Sequence, residues 1–245
     1  MATASRLKYP ERFALGDSQV WCTTLCVQEH TLQTYAKLLS PDESVRAARF
    51  IFAEDQRRFV VGRAILRLLL AESLRCKPAQ IAFSTNEFGK PSVVGASTVH
   101  FNVSHSYDLA AYAFSTQEVG IDIELKRFIP DALDVAQRFF AAPEIAAMER
   151  VPFNDRSSAF LRYWTKKEAC LKVSGRGLSG DVASVDVGMD REPSVITIRH
   201  RDSNIPQSVY LQTLNLPRDY VGALATSYPT EIVHCKQVSE LRQLT

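Results

Sequence analysis

The stretch VGIDIE, residues 119–124, alternates apolar and acidic side chains and holds the two residues best suited to bind a cation. On a strand, Ile121 and Ile123 face one way and Asp122 and Glu124 the other. The two acidic α-carbons then stand about 7 Å apart, from the strand rise per residue, so both carboxylates reach one hard cation. Mg²⁺ takes one or two carboxylates, keeps waters and completes its shell with phosphate oxygens. A strand with one solvated face has the same pattern, so the pair gains meaning only from its neighbours.

The strongest neighbour is WTKKEACLK, residues 164–172. Wound as a helix, Trp164, Glu168 and Lys172 fall one turn apart on one face, with Lys167 flanking them and Lys166 pointing the other way. A Glu168–Lys172 helical ion pair, worth about 0.2–0.5 kcal/mol, accounts for two of these residues. It leaves Lys167 and the tryptophan unexplained. Two strand carboxylates, then a helix with a third carboxylate between two lysines, is the set that diphosphate chemistry requires. The acids hold a metal, the lysines neutralise phosphate oxygens, and a carboxylate beside the metal takes a proton from a nucleophile.

Two further stretches add to this set. FNVSHS (101–106) ends a strand with Ser104 and His105, hydroxyl and imidazole groups that suit an anion or serve as structural hydrogen-bonding residues. FGKP (88–91) is a turn by composition, with Lys90 at its tip, where a solvated lysine is the ordinary reading.

The elements that carry these residues follow from period and punctuation. A strand is predicted over 19–27 and a short helix over 32–39. Ser40 caps a further helix, with Pro41 at its first position and Glu43 completing a capping box. That helical region runs, with a break, to about Leu74. Strands follow over 81–85, 99–106, 109–115 and 119–124. The second half repeats the order: a helix over 157–173, capped by Asn154 or Asp155 and stopped by Gly175, then strands over 183–188, 194–200, 208–216, 220–227 and 231–238. The turn GMDREP (188–193) occupies the place that NEFGKP (86–91) holds in the first half. Helix followed by antiparallel strands, twice, predicts two similar α+β halves joined near residues 115–119.

Composition is that of a globular chain, with 46% hydrophobic and 23% charged residues in 245. A net charge of +2 makes no case for nucleic acid, although residues 46–77 carry eight basic groups against Glu54, Asp55 and Glu72. That basic stretch keeps one rival open, a non-catalytic basic binding module for nucleic acid or another macromolecule. Five cysteines in unpaired spacing argue against a disulfide framework and for a reducing compartment. The most apolar run, 59–74, is broken by Arg63 and Arg67 and is too short for a bilayer. No phosphate-binding or dinucleotide-binding glycine motif and no hydrolase signature occurs.

GIDIE, a gap of 39 residues, and then WTKKEACLK together resemble the paired signature of the 4′-phosphopantetheinyl transferases, in their large monomeric surfactin-synthetase-activating form. FGKP and FNVSHS resemble the two upstream motifs of that family, and SPDESVRAARF (40–50) its coenzyme A-binding stretch. Ala169 places the chain nearest the WxxKEA subgroup, and Glu43 stands where some relatives have a lysine.

The resemblance implies a pseudo-dimer of two similar α+β halves, residues 1–117 binding the nucleotide of coenzyme A and residues 118–245 carrying the catalytic groups, with the active site in the cleft between them. It implies transfer of 4′-phosphopantetheine from coenzyme A to a serine of an apo acyl or peptidyl carrier protein. Asp122, Glu124 and Glu168 would hold Mg²⁺, and Glu168 would deprotonate the serine. Lys167 and Lys172 would bind phosphate oxygens, Lys172 also serving the leaving group. Ser104, His105 and Arg58 would grip the 3′-phosphate, with Arg46 and Lys90 on the nucleotide. A cytoplasmic monomer is expected, its carrier docking on the basic, aromatic segment 125–151.

Overall fold

The computed structural model describes residues 18–96, 98–175, 182–188, 194–198, 207–231 and 235–237. Strand β1 (Ser18–Thr24) leads into three helices, α1 (Glu29–Ala36), α2 (Pro41–Ala47) and α3 (Ala53–Leu74). A ribbon of β2 (Phe83–Thr85) and β3 (Pro91–Val93) follows, then β4 (His100–Ser106), β5 (Leu109–Ser115) and β6 (Val119–Leu125). Next come α4 (Ala132–Phe139), α5 (Ala142–Arg150) and α6 (Phe153–Ser174). The described chain closes with β7 (Ser194–Ile198), β8 (Gln207–Thr213), β9 (Tyr220–Thr226) and β10 (Cys235–Gln237).

These strands form two four-stranded sheets, ordered β10-β1-β5-β4 and β6-β9-β8-β7. All neighbours are antiparallel except β10, which runs parallel to β1. The mixed α+β class read from the sequence is therefore the observed one. Each sheet carries a 22-residue helix. Val61, Ile65 and Leu69 of α3 pack on Phe101, Tyr112 and Phe114 of the first sheet. Phe160, Cys170 and Val173 of α6 pack on Val209, Leu211, Ala223 and Ala225 of the second. A third core joins the sheets, where Val20, Cys22, Ala111 and Ala113 meet Val119, Ile121 and Ile123. The last described strand, β10, lies in the stretch assigned to the second half yet pairs within the first sheet.

Several boundaries differ from the sequence reading. Residues 183–188 form no strand. Val185 and Val187 are buried at strand spacing, but side chains meet their backbone: Glu144 accepts the Val187 N–H at 2.9 Å and Lys167 donates to the Val185 carbonyl. Helix α6 begins at Phe153, ahead of the predicted Asn154 or Asp155 cap, with Pro152 preceding it. The 53–74 helix is separated from α2 as the predicted break required, and Glu43 accepts the Ser40 N–H at 2.9 Å, half of the capping box. The Ser40 hydroxyl goes instead to Asp42, at 2.6 Å. Gly175 ends α6 in the left-handed conformation, as a glycine stop does. Of the turn GMDREP, residues 189–193 lie outside the described residues.

Candidate active site

Strand β6 positions the site because both of its edges are occupied. One edge pairs with β9. Along the other, β4 side chains stand in for a backbone ladder: Asn102 Oδ1 accepts from Ile121 N at 2.9 Å, Ser104 Oγ from Ile123 N at 3.2 Å, and Ser106 Oγ from Leu125 N at 3.1 Å. The steps of two on β4 match steps of two on β6, so one strand period meets another. Ser104 and Ser106 use their own protons on the acids, Ser104 donating to Asp122 Oδ1 and Ser106 to Glu124 Oε2, both at 2.8 Å. The serines thus orient both strand carboxylates.

Gly120 lets α6 approach that strand. A β-carbon there would stand 2.1 Å from the Ala169 carbonyl oxygen and 2.7 Å from the Val173 nitrogen. Without it, Gly120, Asp122 and Glu124 share the face that α6 covers, and Lys172 Nζ reaches Asp122 Oδ1 at 2.7 Å and the Ile121 carbonyl at 3.1 Å.

The electrostatics are unbalanced. Asp122 Oδ2 and Glu168 Oε1 are buried and accept no hydrogen bond, although buried polar atoms are nearly always satisfied. Burial raises the Asp122 pKa against the pull of Lys172 and Ser104, with Glu124 adding to the rise. Burial raises Glu168 also, and the charge of Asp122 adds to it. A cation would satisfy both orphan oxygens and relieve both shifts, and an all-oxygen donor set suits a hard divalent ion. Among the described residues no three acids or histidines are gathered tightly enough to hold one by themselves.

His105 and Arg58, expected on the 3′-phosphate, stand near enough for the charge of one to act on the other. His105 shares the α3 side of β4 with Phe101 and Val103, by strand alternation. Its pKa is lowered by partial burial and then by the charges of Lys172 and Arg58. Arg58 is held by Asp108 at 2.9 Å and Asp55 at 3.3 Å. Asp108 follows Tyr107, a non-glycine residue at φ 51° in the β4–β5 turn, and that left-handed geometry is strained for a tyrosine. Arg46 is exposed on α2, its guanidinium 5.1 Å from the Phe59 ring centre.

Two lysines of the sequence reading lie elsewhere. Lys167, expected on phosphate oxygens, has no exposed surface. Its Nζ pairs with Glu144 at 2.6 Å, donates to the Val182 and Val185 carbonyls and sits 5.4 Å from the Phe140 ring centre. A buried ammonium needs such a full set of partners, and α6 turns it away from Asp122 to find them. Lys90, expected on the nucleotide, donates to the Val173 carbonyl at 3.0 Å and pairs with Glu118. With Asn86, which donates to the Gly175 carbonyl at 3.0 Å, it fastens the β2–β3 turn to the C-terminal end of α6. Burial opposes charge on Glu118, yet His100 and Lys90 outweigh it and hold the carboxyl down at about 2. Glu43, which stands where some relatives have a lysine, is buried and accepts from Arg67 at 2.7 Å.

The comparisons with known proteins decide the family. Residues 26–117 match the model of the 4′-phosphopantetheinyl transferase N-terminal domain, and residues 118–225 that of the 4′-phosphopantetheinyl transferase superfamily. The chain belongs to that family. It is 40% identical to the 4′-phosphopantetheinyl transferase HetI of a Nostoc species over 70% of this chain and 75% of that one. It is 30% identical to the 4′-phosphopantetheinyl transferase Sfp of Bacillus subtilis over 80% of this chain and 86% of that one. The protein is therefore a transferase of phosphopantetheine, and the group around β6 and α6 is read in that light.

The sequence reading gave no site role of their own to Asn102, Ser106, Gly120 and Asp108. Three of these left a signal. Asn102, Ser104 and Ser106 recur at the strand period, and a glycine inside a strand marks a close backbone approach.

Proposed function

We propose that this transferase moves 4′-phosphopantetheine from coenzyme A to a serine hydroxyl of an apo acyl or peptidyl carrier protein, with Mg²⁺. The observation that carries the reading is the pair of orphan carboxylate oxygens on Asp122 and Glu168, beside the ammonium of Lys172. Asp122, Glu124 and Glu168 would hold the ion, whose contribution is to neutralise the diphosphate and polarise its phosphorus.

The chain's own residues do the rest. Glu168, its pKa raised by burial and by the charge of Asp122, is the base that takes the serine proton. The serine oxygen forms a bond to phosphorus as the bond to the bridging oxygen breaks, releasing adenosine 3′,5′-bisphosphate. Lys172 gives its charge or a proton to that departing phosphate. His105 and Arg58 receive the 3′-phosphate, and Arg46 lies free for the nucleotide. Ser104 acts on this ligand through Asp122, whose carboxylate it orients. Lys167 and Lys90 hold α6 in place rather than touching phosphate.

The two sheets with their matching helices support a pseudo-dimeric arrangement, residues 1–117 and 118–245, with the cleft along β4 and β6 and both walls in one monomer. For the carrier we keep the segment 125–151: Phe128, Phe139 and the adjoining Phe153 expose their rings there, while Phe140 is buried. A cytoplasmic setting is supported by five free thiols. No helix among the described residues is long and apolar enough to cross a membrane.

The test is incubation with coenzyme A, Mg²⁺ and apo carrier, followed by intact mass. The carrier gains one phosphopantetheine on its serine, and chelator abolishes the gain. An unmodified carrier under saturating coenzyme A overturns the reading.

A further inference from the structure

Glu124 stands at the outer end of the acidic group, where β6 gives way to the segment 125–151, and its side chain is 21% exposed against 9% for Asp122. Its Oε2 accepts from two sides, from Ser106 Oγ at 2.8 Å and from Arg127 Nη1 at 2.9 Å. Asp122 and Glu168 differ, each keeping a buried oxygen with no donor. The cations on the two strand acids differ too. Lys172, on Asp122, belongs to α6 and to the site itself. Arg127 is exposed and belongs to the segment kept for the carrier.

The backbone around Arg127 is held at both ends. Lys126 N donates to the Asp219 carbonyl at 2.8 Å, and Lys126 Nζ to the Arg218 carbonyl at 2.7 Å. Ile129 N donates to Ser157 Oγ at 2.9 Å, and that hydroxyl donates to the Ile129 carbonyl at 3.3 Å. Between these anchors Arg127 and Phe128 are exposed, the ring at 66%. An arginine beside an aromatic ring on a fixed backbone is the make-up of an interface anchor. One guanidinium is thus in reach of two tasks, pairing a proposed metal ligand and meeting an acidic carrier.

We propose that Arg127 couples these tasks: paired with Glu124 it is withheld from the carrier, and when Glu124 turns its charge to Mg²⁺ the guanidinium is released to a carboxylate of the carrier. The proposal rests on the metal set and the docking segment given above. Glu124 has a single charge, so what it lends to a divalent ion it withdraws from Arg127, and the two cations repel each other. Metal therefore strengthens carrier binding, and by reciprocity the carrier strengthens metal binding by the same factor. The pair is partly exposed, so that factor is about two- to fivefold, the worth of a surface ion pair. Lys126 supplies the contrast. It has the same charge one residue earlier, but its ammonium rests on a carbonyl, so it attracts the carrier with or without metal.

Binding measurements on the whole protein test this without transfer, with coenzyme A at saturation and a carrier whose acceptor serine is replaced by alanine. Mg²⁺ is titrated calorimetrically with and without that carrier, and carrier affinity is read by fluorescence anisotropy in Mg²⁺ or in chelator. In wild type each ligand tightens the other by the factor given. Arg127→Gln binds Mg²⁺ more tightly than wild type when the carrier is absent, and the mutual effect is lost. Lys126→Gln weakens the carrier at every Mg²⁺ concentration and keeps the effect. Weaker Mg²⁺ binding in Arg127→Gln would make the arginine an orienting group for Glu124 and overturn the proposal, as would a mutual effect that survives in that variant. Either result leaves the transfer reaction standing. Failure of the reaction itself looks different: wild type takes up no Mg²⁺ and leaves the native carrier unmodified, and the coupling falls with it.

Discussion

Helices α3 and α6 have the same length, each cover a four-stranded sheet and each bury a cation, yet they leave their charges in different states. On α3, Arg67 is 2% exposed and fully partnered, by Glu43 at 2.7 Å and by the carbonyls of Pro78 and Ile81 at 2.8 and 2.9 Å. On α6, Lys167 is as completely held by Glu144, Val182 and Val185. The next residue, Glu168, has a buried oxygen with no donor at all. Charges that serve the fold are paired on every side, whereas the charge proposed to serve the reaction is left open. Local rules are broken where function needs them broken.

The largest effect expected from this contrast is on transfer. Glu168→Gln removes the proposed base and one metal oxygen, so kcat falls by about 10²–10⁴-fold, the range for a positioned acid or base. The same change stabilises the ligand-free protein. A carboxyl whose pKa is raised in the fold holds its proton more tightly there, so its contribution is present at low pH and lost as pH rises through the folded pKa. The gain in melting temperature should therefore appear near neutrality and vanish under acid conditions. A variant less stable than wild type at pH 7 breaks the comparison.

Lys167→Met does the reverse. Removing one partner of a buried pair costs about 3–5 kcal/mol, because Glu144 is left charged and unpaired. Denaturant unfolding reads that loss, while the folded fraction keeps the coenzyme A KM of wild type. A raised KM with unchanged stability would return Lys167 to the phosphates. Gly120→Ala combines both losses, since its β-carbon must push α6 off the strand. Stability and kcat both fall, and restored activity in the presence of Mg²⁺ alone would show that the close approach is dispensable.

A smaller effect is expected at His105. Its pKa is lowered in the free protein, whereas a 3′-phosphate favours the protonated ring. The coenzyme A KM of wild type should rise as pH climbs through and above the depressed imidazole value. His105→Ala should raise KM about tenfold at low pH and flatten that profile, the equivalent of one charge-assisted hydrogen bond. An unchanged profile would make the ring structural. The smallest effect concerns Glu118, whose carboxyl lies at about 2. Its stabilising contribution is present at neutral pH and fades as pH falls below the ordinary carboxylate range towards 2. Glu118→Gln should lower the melting temperature slightly at pH 7, with the difference from wild type closing under acid.

What the sequence by itself determined is the local part. Alternation in VGIDIE placed Asp122 and Glu124 together on one face, the 3.6-residue period placed Glu168 and Lys172 one turn apart, and glycine at 175 stopped α6. The long helices and most strands were legible because amphipathic period is a property of neighbouring residues. The ribbon strand β3 was not, being three residues long and without a periodic signal. Nor could period separate Lys167 from Lys172. Both are lysines on one helix, and which meets Asp122 depends on Glu144 and residues 182–185 arriving from elsewhere to claim the other. The serines of β4 likewise look like anion ligands until β6 lies against them and takes their hydroxyls for Asp122 and Glu124. Only the tertiary structure decided these points, because a buried charge goes to whichever partners the fold brings near it, and those partners lie tens of residues away in the chain.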